Sequence, residues 1–304
     1  MTRIVAFGEG MIEIAGNIGS TGLIGYGGDV LNVTVALARL GLAPSFMTAL
    51  GVDVWSGELA DAWAAEGVDL SLIARHPDRV PGLYGIRTDA EGERTFIYWR
   101  GVSAARFFFQ LAESEALLKQ AAQADVLFLS GITLSLYNAA AQRRIGDLAE
   151  TIRERGGQVV FDGNYRPNGW PDARAAADAF DAFAPYVSLA LPTAGDEQLL
   201  HGIGDGETIA RRWHQAGAEE VVVKLGAEGA YVSHPGGTHL VTTEALTPVD
   251  TTGAGDAFDA GYLAARLAGR APAAAAAFGH RLAGETIMHR GAIPPRDAVA
   301  AIRP

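Results

Sequence analysis

Six short apolar runs punctuate the chain, at residues 4–8, 46–51, 126–130, 158–162, 187–191 and 221–225, each running into small or polar residues. None is long enough for a globular helix, which predicts strands. Between them, residues 29–40, 56–66, 137–155 and 205–216 carry helix-like spacing and are followed by Gly41, Gly67, Gly156 and Gly217. A glycine just past the last periodic residue is a helix stop. Alternating strands and helices predict a parallel sheet wrapped by helices, an α/β layer fold whose ligands bind beyond the carboxyl ends of the strands.

One segment departs from this rhythm. Residues 83–100 read LYGIRTDAEGERTFIYWR, two alternating runs around a Gly-containing acidic turn, which predicts a β-hairpin. With period two, Phe96, Tyr98 and Arg100 share a face, and pairing Thr88 with Arg94 puts Tyr84 opposite Tyr98. An ordinary half-buried strand pair with aromatic residues carries the same pattern. The alanine-rich residues 271–277 read as a helix start with Pro272 in the first turn.

Length and charge narrow the functional classes. The 304 residues make one large domain with a small appendage, or two modest domains. A formal charge of −11 opposes non-specific binding to nucleic acid or anionic membrane, and the arginines are scattered rather than clustered. With no cysteine there is no disulfide, thiolate metal site or cysteine nucleophile. No apolar stretch approaches the roughly 18 residues of a membrane span, so a soluble, cytoplasmic protein is expected.

The densest motif is DTTGAGDAFDAGYLAARLA at residues 250–268. A glycine-rich turn that opens a helix aims unpaired N–H groups at one point, at the positive end of the helix dipole, and so binds phosphate. This makes Gly253, Ala254 and Gly255 a candidate anion hole. Asp256, in the first turn, is placed to accept a hydroxyl proton. An aspartate there is also a common capping residue. The small residues that follow, allowing close helix packing, favour the chemical role.

This segment resembles the carboxy-terminal signature of the ribokinase or PfkB family of sugar kinases, and GGDVLNV at residues 27–33 followed by ALARLG at 36–41 resembles the amino-terminal one. The resemblance covers the whole chain and implies a single ribokinase-like domain over residues 1–304. That fold is a three-layer α/β/α sandwich with a mostly parallel sheet and a small β-sheet lid, here near residues 12–28 and 83–110. No G-x-x-x-x-G-K-[ST] loop is present, so an ATP enzyme must use another cradle, which the G-A-G-D turn supplies.

GEGMIE (8–13), RVPGLYGIRTDAEGERTFIYWR (79–100), FLSGI (128–132), FDGNYRPNGW (161–170) and HRGAIP (289–294) resemble the branch of the family that phosphorylates 2-keto-3-deoxygluconate at O6. A carboxylate suits forked donors such as Arg100 or Arg166, with phenols such as Tyr84 and Tyr98 adding hydroxyls. The resemblance implies that Gly28, Asp29 and Asn32 meet the sugar, that Tyr84, Tyr98 and Arg100 close over it, and that Arg166 lies between sugar and phosphates. On the ATP side it implies Asn164, Arg166, Thr193, Lys224, Gly226, Gly229, Gly253 and Gly255. The family's N-x-x-E motif for magnesium is replaced by Thr193 with Asp196 three residues on, leaving Asp196 and Glu197 as alternatives through water.

ATP and Mg2+ are the expected cofactors, and a K+ requirement near Asp250 stays open. Fructokinase, 2-keto-3-deoxygalactonate kinase and a non-catalytic sugar sensor are the alternative functions. An exposed lid edge predicts a homodimer.

Overall fold

The computed structural model describes residues 2–19, 21–88 and 94–304. β1 (Ile4–Phe7), β2 (Met11–Ala15) and β3 (Leu23–Gly27) lead into α1 (Asp29–Arg39), β4 (Pro44–Leu50), α2 (Val54–Ala65) and β5 (Ile73–Arg75). A hairpin follows, β6 (Gly82–Thr88) and β7 (Arg94–Trp99), then α3 (Ser114–Ala121), β8 (Val126–Ser130), α4 (Gly131–Ser135) and α5 (Ala139–Glu154). Next come β9 (Gln158–Asp162), α6 (Ala173–Phe183), β10 (Leu189–Ala190), α7 (Ala194–His201), α8 (Gly206–Ala216) and β11 (Glu220–Lys224). β12 (Ala230–His234), β13 (Gly237–Val241), α9 (Ala254–Leu267) and α10 (Pro272–Thr286) complete the order.

Among the described residues the strands divide into two sheets. The large one runs β13-β12-β11-β10-β9-β8-β1-β4-β5, parallel from β5 to β11 and antiparallel at the β12 and β13 edge. Alternate residues of β1 feed two cores: Ile4 and Ala6 pack with Leu31, Leu263 and Leu282, whereas Val5 and Phe7 pack with Leu129, Ile145 and Phe161. Both faces of the sheet are therefore covered by helices, the predicted three-layer fold. From β1 the chain goes to β4 on one side and β8 on the other, so the order reverses between β1 and β8, the point beyond whose strand ends an open α/β sheet forms its ligand crevice.

The small sheet has the order β3-β2-β6-β7, with β2 and β6 parallel and its other two pairs antiparallel. The hairpin register pairs Thr88 with Arg94 and Tyr84 with Tyr98, as the alternation requires. Its acidic turn lies outside the described residues. The sheet ends earlier than the expected lid segment of 83–110: Ala104–Gln110 is a 3-10 helix, with Ala104 and Phe108 buried in the main core and the Phe108 ring 5.2 Å from that of Phe7. Aromatic burial outweighs continuity with the hairpin there. The expected strand at 187–191 shrinks to β10, and the expected helix from residue 137 starts at Ala139 because the Asn138 side chain caps the Ala141 N–H.

Candidate active site

Gly28 precedes α1 with φ 145, and a Cβ there would lie 2.2 Å from the Glu9 carbonyl oxygen. Only glycine passes this close contact, and it delivers Asp29 and Asn32 to the crevice. Asp29 Oδ2 accepts from the Ser130 hydroxyl at 2.5 Å and from Asn164 Nδ2 at 3.0 Å. Burial, with Asp162 nearby adding like charge, raises its pKa. Asn164, expected beside the nucleotide, has a left-handed backbone (φ 35) and its amide serves Asp29 instead.

Asn32 donates to Asp256 Oδ2 at 2.7 Å. This bond joins the two signature motifs, 224 residues apart. The Asn32 side-chain oxygen Oδ1 is buried without a hydrogen-bond partner, a free acceptor beside Asp256. Burial, then the negative charge of Asp29, push the Asp256 pKa up to about 7, although the Asn32 bond works against them.

Asp256 sits in the first turn of α9, which Gly253 opens at φ 75. A Cβ on Gly253 would lie 2.7 Å from the Ala292 Cα, so the turn rests directly on the HRGAIP segment. Ala254 and Gly255 line one wall of a cavity of about 410 Å³, with Lys224, Gly226 and Gly229 opposite. Five of the residues expected on the nucleotide or anion side thus share one cavity. A larger cavity of about 870 Å³ opens between α5 and α6 and is lined by none of the predicted site residues.

The Lys224 ammonium does not reach into that cavity as a free cation. It is held by Asp162 Oδ1 at 3.0 Å and by both Asp259 oxygens at 2.9 Å. Burial opposes its charge, yet the two carboxylates hold its pKa above the usual lysine range. Asp259 is a residue that sequence reasoning missed. A buried aspartate inside the apolar stripe of α9 was the available signal, since such a charge is kept only when paired.

The small sheet faces this floor. Tyr84 donates to Glu13 Oε2 at 2.5 Å, and its ring centre lies 5.9 Å from that of Tyr98, which stacks on Phe96. Burial raises the Tyr98 pKa, and the positive charges of Arg100 and Arg166 work against that rise. The two arginines are otherwise unlike. Arg100 is ion-paired with the buried Glu9, which also takes the Ser103 hydroxyl, and its Nε is buried without a partner. The Arg166 side chain is 57% exposed and only loosely paired, 3.4 Å from Asp196. It is the freer fork for an anion.

Thr193 precedes α7 without capping it, and bridges to Lys224 through the backbone. Of the two metal candidates, Asp196 faces Arg166, and burial raises its pKa. Glu197 points away from the crevice: it accepts from Trp213 Nε1 at 2.8 Å and lies 3.6 Å from Arg212. Successive helix positions are about 100° apart, so one carboxylate meets the site and the next meets the core. No cluster of three metal-ligating side chains stands ready among the described residues. A lone carboxylate fits a dication carried mainly by phosphate and water.

Residues 1–298 match the model of the pfkB family carbohydrate kinase. The 2-dehydro-3-deoxygluconokinase of Escherichia coli K12 is 40% identical over 307 residues, covering 98% of this chain and 99% of that protein. A PfkB protein from Polaromonas sp. JS666 superposes with TM-score 0.86 at 28% identity over 99% of this chain and all of its own. Fructokinase from Vibrio cholerae O395, solved with fructose, ADP and calcium ion, superposes with TM-score 0.84 at 25% identity, covering 100% of this chain and 99% of that one. The match spans both motifs that meet at Asn32 and Asp256, and the chain belongs to the pfkB family of carbohydrate kinases.

Proposed function

We propose that this protein transfers the γ-phosphoryl group of ATP to the O6 hydroxyl of 2-keto-3-deoxygluconate, giving 2-keto-3-deoxy-6-phosphogluconate and ADP. The observation that carries the reading is Asp256, whose carboxylate is raised to about 7, hydrogen-bonded to Asn32 and set one turn into the helix opened by Gly253. The E. coli relative bears the corresponding name at 40% identity over nearly its full length.

The sugar lies between Gly28, Asp29 and Asn32 below and the Tyr84 and Tyr98 phenols above. The unpartnered Asn32 Oδ1 takes a sugar hydroxyl, and Arg166, helped by Arg100, takes the carboxylate. ATP occupies the cavity walled by Gly226, Gly229 and Gly255, with its terminal phosphate on the N–H groups that open α9. O6 forms the new bond to phosphorus, the bond to the bridging oxygen of ADP breaks, and the O6 proton passes to Asp256 as transfer proceeds. A divalent cation, Mg2+ in this reading, would supply neutralisation of the phosphate charge, and Asp196 is the residue that would hold it through water. The small sheet acts as the lid that excludes water from the phosphoryl group. The Arg94 guanidinium pairs with Asp250, so K+ is left out of this mechanism.

The protein is read as a cytoplasmic homodimer acting on small molecules rather than nucleic acid. No helix among the described residues is long and apolar enough to cross a membrane.

A coupled assay of ADP release with 2-keto-3-deoxygluconate, its galactonate epimer and fructose tests the substrate. The acid is expected to exceed fructose in kcat/KM by roughly 10- to 100-fold, the scale of one charge-assisted fork. Preference for fructose overturns the assignment, and preference for the epimer moves it to the neighbouring keto acid. No ADP release with any sugar acid leaves a sensor.

A further inference from the structure

Arg94 opens β7 in the small sheet, yet its guanidinium leaves that sheet and lands on the loop that precedes α9. Its Nη1 lies 2.5 Å from Asp250 Oδ2 and donates to Thr252 Oγ1 at 3.0 Å. The Thr252 hydroxyl and N–H donate in turn to Asp250 Oδ1, at 2.7 and 3.0 Å. Asp250 Oδ2 also accepts from the Gly291 N–H. Three segments far apart in sequence therefore meet at one carboxylate. The Asp250 side chain is 2% exposed and that of Arg94 22%. An exposed ion pair contributes little, but this one is mostly out of water and has two acceptors.

Thr252 is followed directly by Gly253, the residue that opens α9 and rests on Ala292. The anion-binding turn is thus braced on one side by residues 291–292 and on the other by Arg94. That arginine belongs to the sheet that carries Tyr84 and Tyr98. We infer that Arg94 is a positioning residue that makes the anion-binding turn depend on the position of the small sheet. With the sheet down over the sugar, the guanidinium holds Asp250 and Thr252, and the turn is set for phosphate. With the sheet raised, Asp250 loses its cation and the turn loosens. Phosphoryl transfer is then coupled to sugar occupancy by a residue that touches neither sugar nor phosphate.

The inference rests on the proposed kinase reading for the identity of the substrate; the clasp itself joins two parts of this chain. Its test compares wild type, Arg94→Ala and Arg94→Lys by steady-state kinetics, thermal melting and hydrogen exchange of residues 252–256. Arg94→Ala is expected to lower kcat/KM for 2-keto-3-deoxygluconate roughly 10- to 100-fold, the loss of two hydrogen bonds from a charged donor. Exchange at 252–256 should rise while Tm stays close to wild type. Lysine keeps the charge without the fork and should recover part of both.

Unchanged kinetics and exchange in Arg94→Ala overturn the inference. So does a loss of activity that follows a fall in Tm with no change in exchange at the turn. If wild type rejects the keto acid and takes another sugar, the substrate reading fails, and the same measurements with that sugar still decide the role of Arg94. If wild type takes none, exchange in the free protein decides it.

Discussion

An aspartate is a weak base for an alcohol, and the surroundings of Asp256 are what make it useful. Burial and the charge of Asp29 push its pKa up to about 7, so it takes a proton more readily than an ordinary carboxylate at working pH. Asp256→Asn keeps the size and removes the proton acceptor: kcat should fall by roughly 10² to 10⁴ with little change in sugar KM. Near wild-type turnover in a steady-state assay would exclude the role. Below its pKa the carboxyl is protonated and cannot act, so kcat/KM should climb with pH through about 7 in wild type. The same shift has a cost in stability. The folded state holds this proton more tightly than the unfolded chain, so ionisation destabilises the fold as pH rises from the ordinary aspartate value of 3.8 towards about 7. The Tm advantage of Asp256→Asn over wild type should therefore widen from pH 5 to pH 7 and level off above it; melts that show a constant difference would contradict that origin. Arg166 acts differently, through ground-state contact. Arg166→Ala should cost the keto acid roughly 10- to 100-fold in kcat/KM and fructose far less, because only the acid loses a charged partner.

At the scale of elements, the crevice floor is held by strand ends tied to a helix. Lys224 ends β11, Asp162 ends β9, and Asp259 lies one turn past Asp256 on α9; the single ammonium joins all three. Lys224→Met leaves two buried carboxylates facing each other without a cation. It should lower unfolding free energy by about 3–5 kcal/mol in urea denaturation, the usual result of removing one partner of a buried ion pair. A change within experimental error would mean the carboxylates are already protonated. The elements themselves were legible because each has a local cause: apolar runs for the strands, glycines for the helix stops, and strict alternation for the hairpin register that pairs Tyr84 with Tyr98. The ties between elements were not. Asp162 and Lys224 are 62 residues apart, Arg94 and Thr252 158, and no periodicity links such positions. Their partners follow from topology, which brings strand ends and loops together only after folding. For the same reason the sequence could not choose between Asp196 and Glu197, since the choice depends on which side of α7 meets Trp213.

Across the whole molecule, the small sheet has a second face to satisfy. One side carries Glu13, Tyr84, Phe96 and Tyr98 towards the crevice. On the other, the registers align Ile24, Ile14, Gly85 and Ile97 in one row and Tyr26, Ile12, Leu83 and Trp99 in the next. The inner members of these rows meet the main core, but Ile24, Ile97 and Trp99 are 71%, 45% and 61% exposed. Clustered exposed apolar side chains on an open sheet mark a contact surface, and burying them against a second copy also covers a sheet edge. Two copies each carrying −11 repel one another at long range, so the apolar contact has to overcome a repulsion that salt screens. In the homodimer proposed above, association should therefore strengthen, not weaken, as salt is raised, the reverse of an interface built on ion pairs. Ile24→Glu and Trp99→Glu each place a charge within the patch and should shift the protein to monomer in sedimentation velocity, with helix and sheet content unchanged by circular dichroism. A dimer that survives both substitutions, or dissolves in high salt, would place the interface elsewhere. Neither substitution touches Arg94 or the phenols, so a monomer that keeps its turnover would show that lid closure belongs to the single chain.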